Sequence, residues 1–219
     1  MQLRHVSLDI WNTLLRPRPS YGVLRSIMIA QHLGISEEHA DEIYKQADKL
    51  VGLSGKPNGD ALTHVCRMIF DAAHKSYVED EITMFRLEME NLFLVNAPQI
   101  CPQVVEEMHR IAGLGITFSV TSNVGLMNGL ILRRVLSDQG LPLICHQFDD
   151  EIGWSKPAQP IFAKIVLNVT RVHGEAIDLE SILHIGDDAV CDVGGQSLGI
   201  RCLIIEGVDG LLPVLREIQ

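Results

Sequence analysis

The sequence predicts an α/β protein: a doubly wound, Rossmann-like parallel sheet interrupted by an inserted all-helical domain. Three observations carry this. Short β-leaning runs alternate with helical patterns from about residue 97 to the end. One further β-leaning run, residues 3–8, stands alone near the start and ends at Asp9. Between the two lie a prolyl linker and several helical patterns with no strand among them. The expected division is therefore a core of residues 1–15 and 96–219 and a helical insertion of 16–95.

Each element has a local reason. Arg16-Pro17-Arg18-Pro19-Ser20 cannot be regular helix, because proline lacks the amide hydrogen and fixes φ. Residues 21–33 have helical spacing and stop at Gly34. Ser36 before an acidic first turn opens the next helix. Pro57-Asn58-Gly59 reads as a turn, and 60–76 and 80–94 as helices. A helix over 102–112 starts with proline in its first turn and stops at Gly113. Strands are then expected at 116–121, 143–148, 182–185 and 200–205. Helices are expected at 126–138, 158–171, 192–198 (short) and 210–218.

Composition narrows the class of function. Hydrophobic residues make up 47%, enough for a sizeable core, and 21% charged residues is an ordinary globular level. A formal net charge of −10 argues against nucleic acid or an anionic membrane surface as partner, because both are polyanions. The five cysteines, at 66, 101, 145, 191 and 202, show no C-x-x-C pair and no even framework. Met1 leads straight into Gln-Leu-Arg-His-Val-Ser-Leu-Asp, without the charged and apolar regions of a signal peptide. No apolar run reaches the length of a membrane span, about 18 residues. The expectation is a cytoplasmic protein; nothing in the residues sets its oligomeric state.

Ligands of open parallel sheets bind beyond the carboxyl ends of the strands, where the strand order reverses. Polar residues just after each strand are thus the first candidates. They are Asp9; Ser122 and Asn123; Asp149, Asp150, Glu151 and Lys156; and Asp187, Asp188 and Asp192. Clustered carboxylates repel one another unless a cation neutralises them, and oxygen ligands suit Mg²⁺. A lysine beside them can hold an anion such as phosphate. The set describes metal-assisted chemistry at phosphate.

Four motifs carry a family resemblance, in order: Leu8-Asp9-Ile10-Trp11-Asn12-Thr13-Leu14; Val120-Thr121-Ser122-Asn123; Ser155-Lys156-Pro157 with Pro160-Ile161-Phe162; and Ile185-Gly186-Asp187-Asp188-Ala189-Val190-Cys191-Asp192. Together they resemble the haloacid dehalogenase-like (HAD) hydrolases across nearly the whole chain, and the helical insertion is similar to that family's C1-type cap. The resemblance implies a Mg²⁺-dependent phosphatase. Asp9 would be the nucleophile that forms an aspartyl-phosphate. Ser122 and Asn123 would lie against the substrate. Lys156 would neutralise the phosphoryl group and the nucleophile. Asp9, Asp187 and the backbone carbonyl of Trp11 would bind the metal, with Asp192 an indirect or alternative ligand.

The chain departs from the family at Trp11. Its phosphatases carry there a second Asp that acts as acid and base, which an indole cannot do. General acid–base catalysis is typically worth about 10²–10⁴-fold, so phosphates with poor leaving groups should suffer most. Asp188, Glu151 or a cap residue are possible substitutes. Trp11 is otherwise a packing residue or a floor for the substrate. Asn12 replaces the usual glycine and tolerates a left-handed backbone. The family's 2-haloacid dehalogenases also have an aromatic at this position and use a cap-side arginine, for which Arg16, Arg18 and Arg25 are candidates. They lack the first acid of the fourth motif, which Asp187 supplies here. A third reading is a catalytically weak member that binds a ligand or partner.

Other motifs reduce to simpler readings. His184 lies inside a strand and reads as structural. His64 and Cys66 do not share a helix face, so they do not form a metal site. Gly55-Lys56 lacks the remainder of a P-loop, and Asn168-Val169-Thr170 is a glycosylation sequon only on paper.

Overall fold

The computed structural model describes residues 2–53 and 61–219. The turn expected at 57–59 and the Gly55-Lys56 pair lie outside the described residues. β1 (His5–Leu8) is followed by α1 (Pro19–Leu33), α2 (Glu37–Leu53), α3 (Ala61–Ala72) and α4 (Glu79–Val95). Next come α5 (Pro102–Ala112), β2 (Thr117–Ser122), α6 (Gly129–Ser137) and β3 (Leu143–Phe148). One-turn α7 (Asp149–Ile152), α8 (Gln159–His173), β4 (Ile182–Gly186), β5 (Arg201–Ile204) and α9 (Val208–Glu217) complete the order. The strands form one all-parallel sheet, β3-β2-β1-β4-β5, the doubly wound arrangement that the alternation predicts.

The chain falls into two compact units. One holds Met1–Arg16, Gln99–Asn123 and Leu136–Gln219 and contains the sheet; the other holds Pro17–Pro98 and Val124–Val135 and is helical. In the helical unit, α1 begins at Pro19 and ends where Gly34 turns left-handed at φ 64°, its amide hydrogen-bonded to the Ala30 carbonyl. The Ser36 hydroxyl accepts from the His39 amide at 3.2 Å, which opens α2. Aromatic edges fill the centre of the unit: Phe70 meets Phe85 at 5.3 Å, and Tyr21 meets Phe93 at 5.5 Å.

In the sheet unit, side chains alternate between faces with period two. Val6 and Leu8 of β1 are wholly buried on one face, and His5 and Ser7 are wholly buried on the other. The second face is polar across three further strands: Ser119 and Thr121 from β2, Gln147 from β3 and His184 from β4 are all wholly buried. Helix α8 covers it, with Phe162 edge-on to the His184 ring at 5.3 Å. The short helix expected at 192–198 is a 3₁₀ segment, Gly194–Leu198. Gly194 explains the tight turn: a Cβ there would sit 2.3 Å from the Pro157 carbonyl oxygen. Helix α7 was not expected, because four residues are too few to show a period.

His5 lies between two hydroxyls, Thr117 Oγ1 at 2.8 Å and Ser119 Oγ at 2.9 Å. Burial, with smaller contributions from His173 and His184, holds its pKa down to about 3. The unfolded chain therefore takes up a proton at His5 that the folded chain refuses. Its contribution is whole above the unfolded value of 6.5 and is lost as pH falls from there toward 3. Urea titrations should show a loss on the order of 5 kcal/mol attributable to His5 across that window, at about 1.4 kcal/mol per pKa unit. The loss should be flattened in His5→Leu, and an unchanged pH slope in that variant would count against the assignment.

Candidate active site

Parallel register sets Leu8 beside both Val120 and Ile185. Asp9, Ser122 and Asp187 therefore leave the sheet at one edge, where the order reverses between β1 and β4. The loop before α8 brings in Lys156. Its ammonium donates to Asp9 Oδ1 at 2.7 Å and, by a short contact, to Asp192 Oδ1. The lysine side chain is only 3% exposed, so this charge is desolvated and needs both partners. Burial alone would lower its pKa; the two carboxylates outweigh burial and raise it above the ordinary lysine value.

Two neighbours are fixed by their own hydrogen bonds. The Asn123 side chain holds the Lys156 backbone at both ends: Nδ2 donates to the Lys156 carbonyl at 3.1 Å, and Oδ1 accepts from the Lys156 amide at 2.7 Å. Both polar atoms of the Asn123 amide are thus bonded to the Lys156 backbone; the resemblance implied a place against the substrate. Asp192 is wholly buried. Its Oδ1 accepts from Lys156 and from His184 Nε2 at 3.0 Å, and its Oδ2 accepts from the Asp188 amide at 3.0 Å. Burial would raise its pKa, but the His184 hydrogen bond and the Lys156 charge pull it far below the carboxylate range. Gly186 makes room for this carboxylate, since a Cβ there would lie 2.1 Å from Asp192 Cγ.

Asp187 is half-buried and accepts from Thr13 Oγ1 at 3.4 Å. Burial raises its pKa, and the Asp9 and Asp192 charges add to that. Ser122 is wholly buried, and its hydroxyl donates to the Asn123 carbonyl at 3.2 Å. Trp11 is half-buried in the turn after Asp9, where the Asn12 amide donates to the Leu15 carbonyl at 2.7 Å. Asn12 has φ 55°, the left-handed backbone its side chain was expected to tolerate.

Asp188 is exposed, and its carboxylate takes the Val190 and Cys191 amides at 2.7 and 3.0 Å, which holds its pKa down. Glu151 is exposed on α7, and Asp149 is buried and accepts from Ser155 at 2.8 Å. Arg16 is exposed and 3.8 Å from Asp209; Arg18 is also exposed. Arg25 belongs to the packing of the helical unit, 3.4 Å over the Tyr44 ring and 3.5 Å from Asp41. His64 is exposed and Cys66 buried on α3. His184, expected to be simply structural, touches Asp192; its strand context gave no sign of this.

Among the described residues, one group has the side chains to hold a metal ion: Asp9, Asp187 and Asp192, with ligand oxygens within 4.8 Å of one another. Three carboxylates face one ammonium, so the group is short of two positive charges. Hard oxygen donors in charge deficit fit a divalent cation such as Mg²⁺.

Solved structures share this architecture over the full chain. The HAD-hydrolase YfnB of Bacillus subtilis, bound to magnesium, superimposes with a TM-score of 0.71 at 13% identity, covering 99% of this chain and 100% of that one. The chain has the fold of the HAD hydrolases. A HAD phosphatase of Thermococcus onnurineus shares the HAD fold with a TM-score of 0.68 at 17% identity, covering 99% and 97%. A 2-haloacid dehalogenase of Pseudomonas syringae pv. Tomato shares it with a TM-score of 0.61 at 20% identity, covering 93% and 86%. No protein-family model and no curated protein matches the sequence. The HAD fold hosts both phosphate and halide chemistry in these neighbours, so the choice between them rests on the site. No described helix is long and apolar enough to cross a membrane.

The ion pairs make a stability prediction. Lys156→Met leaves two carboxylates facing each other without their ammonium, and should cost about 3–5 kcal/mol in urea unfolding. Asp192→Asn should also destabilise. The double variant should be better than the sum of the singles by about 0.5–3 kcal/mol. Strict additivity would mean that the pair is not coupled.

Proposed function

We propose that this chain is a HAD-type hydrolase that removes phosphate from a small phosphorylated molecule through Asp9. The observation that carries the reading is the placement of Asp9: its carboxylate sits 2.7 Å from a buried ammonium and within ligand distance of Asp187. The carboxylate of Asp9 attacks phosphorus, the bond to the ester oxygen breaks, and that oxygen leaves with the electron pair. Water then attacks phosphorus and returns free Asp9 and inorganic phosphate. Lys156 fixes one oxygen of Asp9 and offsets negative charge on the phosphoryl group. The Ser122 hydroxyl donates to a phosphoryl oxygen once substrate replaces its bond to the Asn123 carbonyl.

Asp9 and Asp187, with the backbone carbonyl of Trp11, are the residues that would hold Mg²⁺, which when bound supplies charge neutralisation and orientation for in-line attack. Asp192 orients Lys156, since its oxygens already accept three hydrogen bonds. We read the helical unit as the counterpart of the HAD family's cap. The Trp11 side chain cannot protonate the leaving oxygen, and Asp188 and Glu151 are exposed, so that proton comes from solvent. Aryl and acyl phosphates are therefore the favoured substrates, and the phosphoenzyme is slow to hydrolyse.

Trp11 also favours a second reading, dehalogenation of a small haloacid by attack of Asp9 on carbon. The acid at position 187 weighs against it, because that reaction has no use for a metal site. Hydrolysis of p-nitrophenyl phosphate should require Mg²⁺, stop in chelator and vanish in Asp9→Asn. Halide release that persists in chelator, with no phosphatase turnover, would replace the first reading by the second. Aryl phosphate should be preferred over alkyl phosphate by about 10²-fold or more in kcat/KM, the low end of what acid–base catalysis contributes. Trp11→Asp should narrow that ratio. Equal rates on both classes in the wild type would show that another group supplies the proton.

A further inference from the structure

The hydrolase reading uses Asp9, Lys156 and Asp187 directly. It leaves unexplained why a histidine stands wholly buried in β4, two residues before the Gly186-Asp187 turn. His184 Nε2 lies 3.0 Å from Asp192 Oδ1, the same oxygen that receives the Lys156 ammonium. Its Nδ1 lies 3.1 Å from Ser7 Oγ. Ser7 Oγ is in turn 2.8 Å from Thr121 Oγ1, and Thr121 Oγ1 is 3.0 Å from the Gln147 amide. The far side of that amide is 3.0 Å from Cys145 Sγ. A chain of hydrogen bonds thus crosses four strands and ends on the carboxylate that holds the lysine.

We infer that His184 is a positioning residue for the proposed reaction: it aims Asp192 at Lys156, and so Lys156 at Asp9. The statement rests on the hydrolase reading above. Proton counting gives the direction. Asp192 only accepts, so the ring nitrogen facing it must carry a hydrogen, and in a neutral ring Nδ1 then accepts from Ser7. Ser7 takes the Thr121 proton, and Thr121 takes a hydrogen from the Gln147 amide nitrogen. That requires the Gln147 amide to present its nitrogen to Thr121 and its oxygen to the Cys145 thiol, the reverse of the orientation drawn from heavy atoms. In this arrangement every hydrogen bond between Cys145 and Asp192 has one donor and one acceptor. Phe162 packs edge-on to the ring at 5.3 Å.

A ring that served only to fill the core would need no donor toward Asp192. The test therefore separates donor from filler. In Mg²⁺-dependent p-nitrophenyl phosphate hydrolysis, His184→Ala should lower kcat by tenfold or more with KM within twofold. His184→Gln, whose amide can reach Asp192, should recover most of kcat. Thermal unfolding identifies variants that are folded. A folded His184→Ala with wild-type kcat, or a folded His184→Gln no better than alanine, would overturn the inference. Nitrogen-15 spectra of labelled histidine supply a readout that does not depend on turnover. The signal lost in His184→Gln should belong to a neutral ring protonated at Nε2, with Nδ1 perturbed in Ser7→Ala. Protonation at Nδ1 alone would overturn the inference even in an active enzyme. Absence of turnover in the wild type, equal to Asp9→Asn, would instead remove the hydrolase reading and with it the catalytic role of His184.

Discussion

Lys156 carries a positive charge into a place where burial alone would strip its proton, and the Asp9 and Asp192 carboxylates keep it charged. Much of the site depends on that one arrangement. From the loop before α8, Lys156 ties the end of β1, 147 residues earlier in the chain, to the loop after β4, 36 residues later. An ion pair of this kind is poor support for stability in general, because desolvation cancels most of the attraction. Here it is held on every side: Asn123 grips the lysine backbone, while His184 and the Asp188 amide saturate Asp192. The arrangement sets a geometry more than it adds free energy.

The same charges leave the site electrostatically incomplete. One ammonium does not balance three carboxylates, and the Asp9 and Asp192 charges add to burial in raising the pKa of Asp187. A divalent cation would relieve that imbalance and so make room for the negative charge of a phosphoryl group. In the proposed reaction Trp11 bears on a separate function, the movement of a proton to the leaving oxygen, so that reading divides charge stabilisation and proton transfer between different residues.

Much of the fold was legible because it rests on local patterns. The sheet, the helix α5 at 102–112 and the strand β3 at 143–148 follow from periodicity and from proline and glycine at the ends. Asp9, Lys156, Asp187 and Asp192 were legible because strand ends are where this architecture puts polar groups, and the structure does bring their side chains together. The positioning residues were less so. Asn123 follows a strand like any substrate contact, and only coordinates reveal that its amide is spent on a backbone. His184 sits in an apolar run where one histidine resembles a core filler. Its signal was distributed: polar residues at 5 and 7, at 117, 119 and 121, and at 145 and 147 recur with period two in separate strands. No single run makes that pattern stand out.

That distributed polar face has a consequence for how the sheet finds its alignment. Parallel strands buried on both sides are usually matched by shape alone, and neighbouring apolar side chains of similar size tolerate a slipped pairing. Here a slip of β2 against β1 by one residue would carry Ser119 and Thr121 to the opposite face. His5 and Ser7 would then be left dry and unpaired, and each such group costs about 1–3 kcal/mol. A two-residue slip keeps the face but sets Asn123 in place of Thr121 opposite Ser7 in one direction, and Gly115 in place of one of the His5 hydroxyls in the other. The buried polar side chains therefore act as a key cut for one alignment of the strands. Correct assembly of the sheet and correct aim of the residues beyond its edge are selected together.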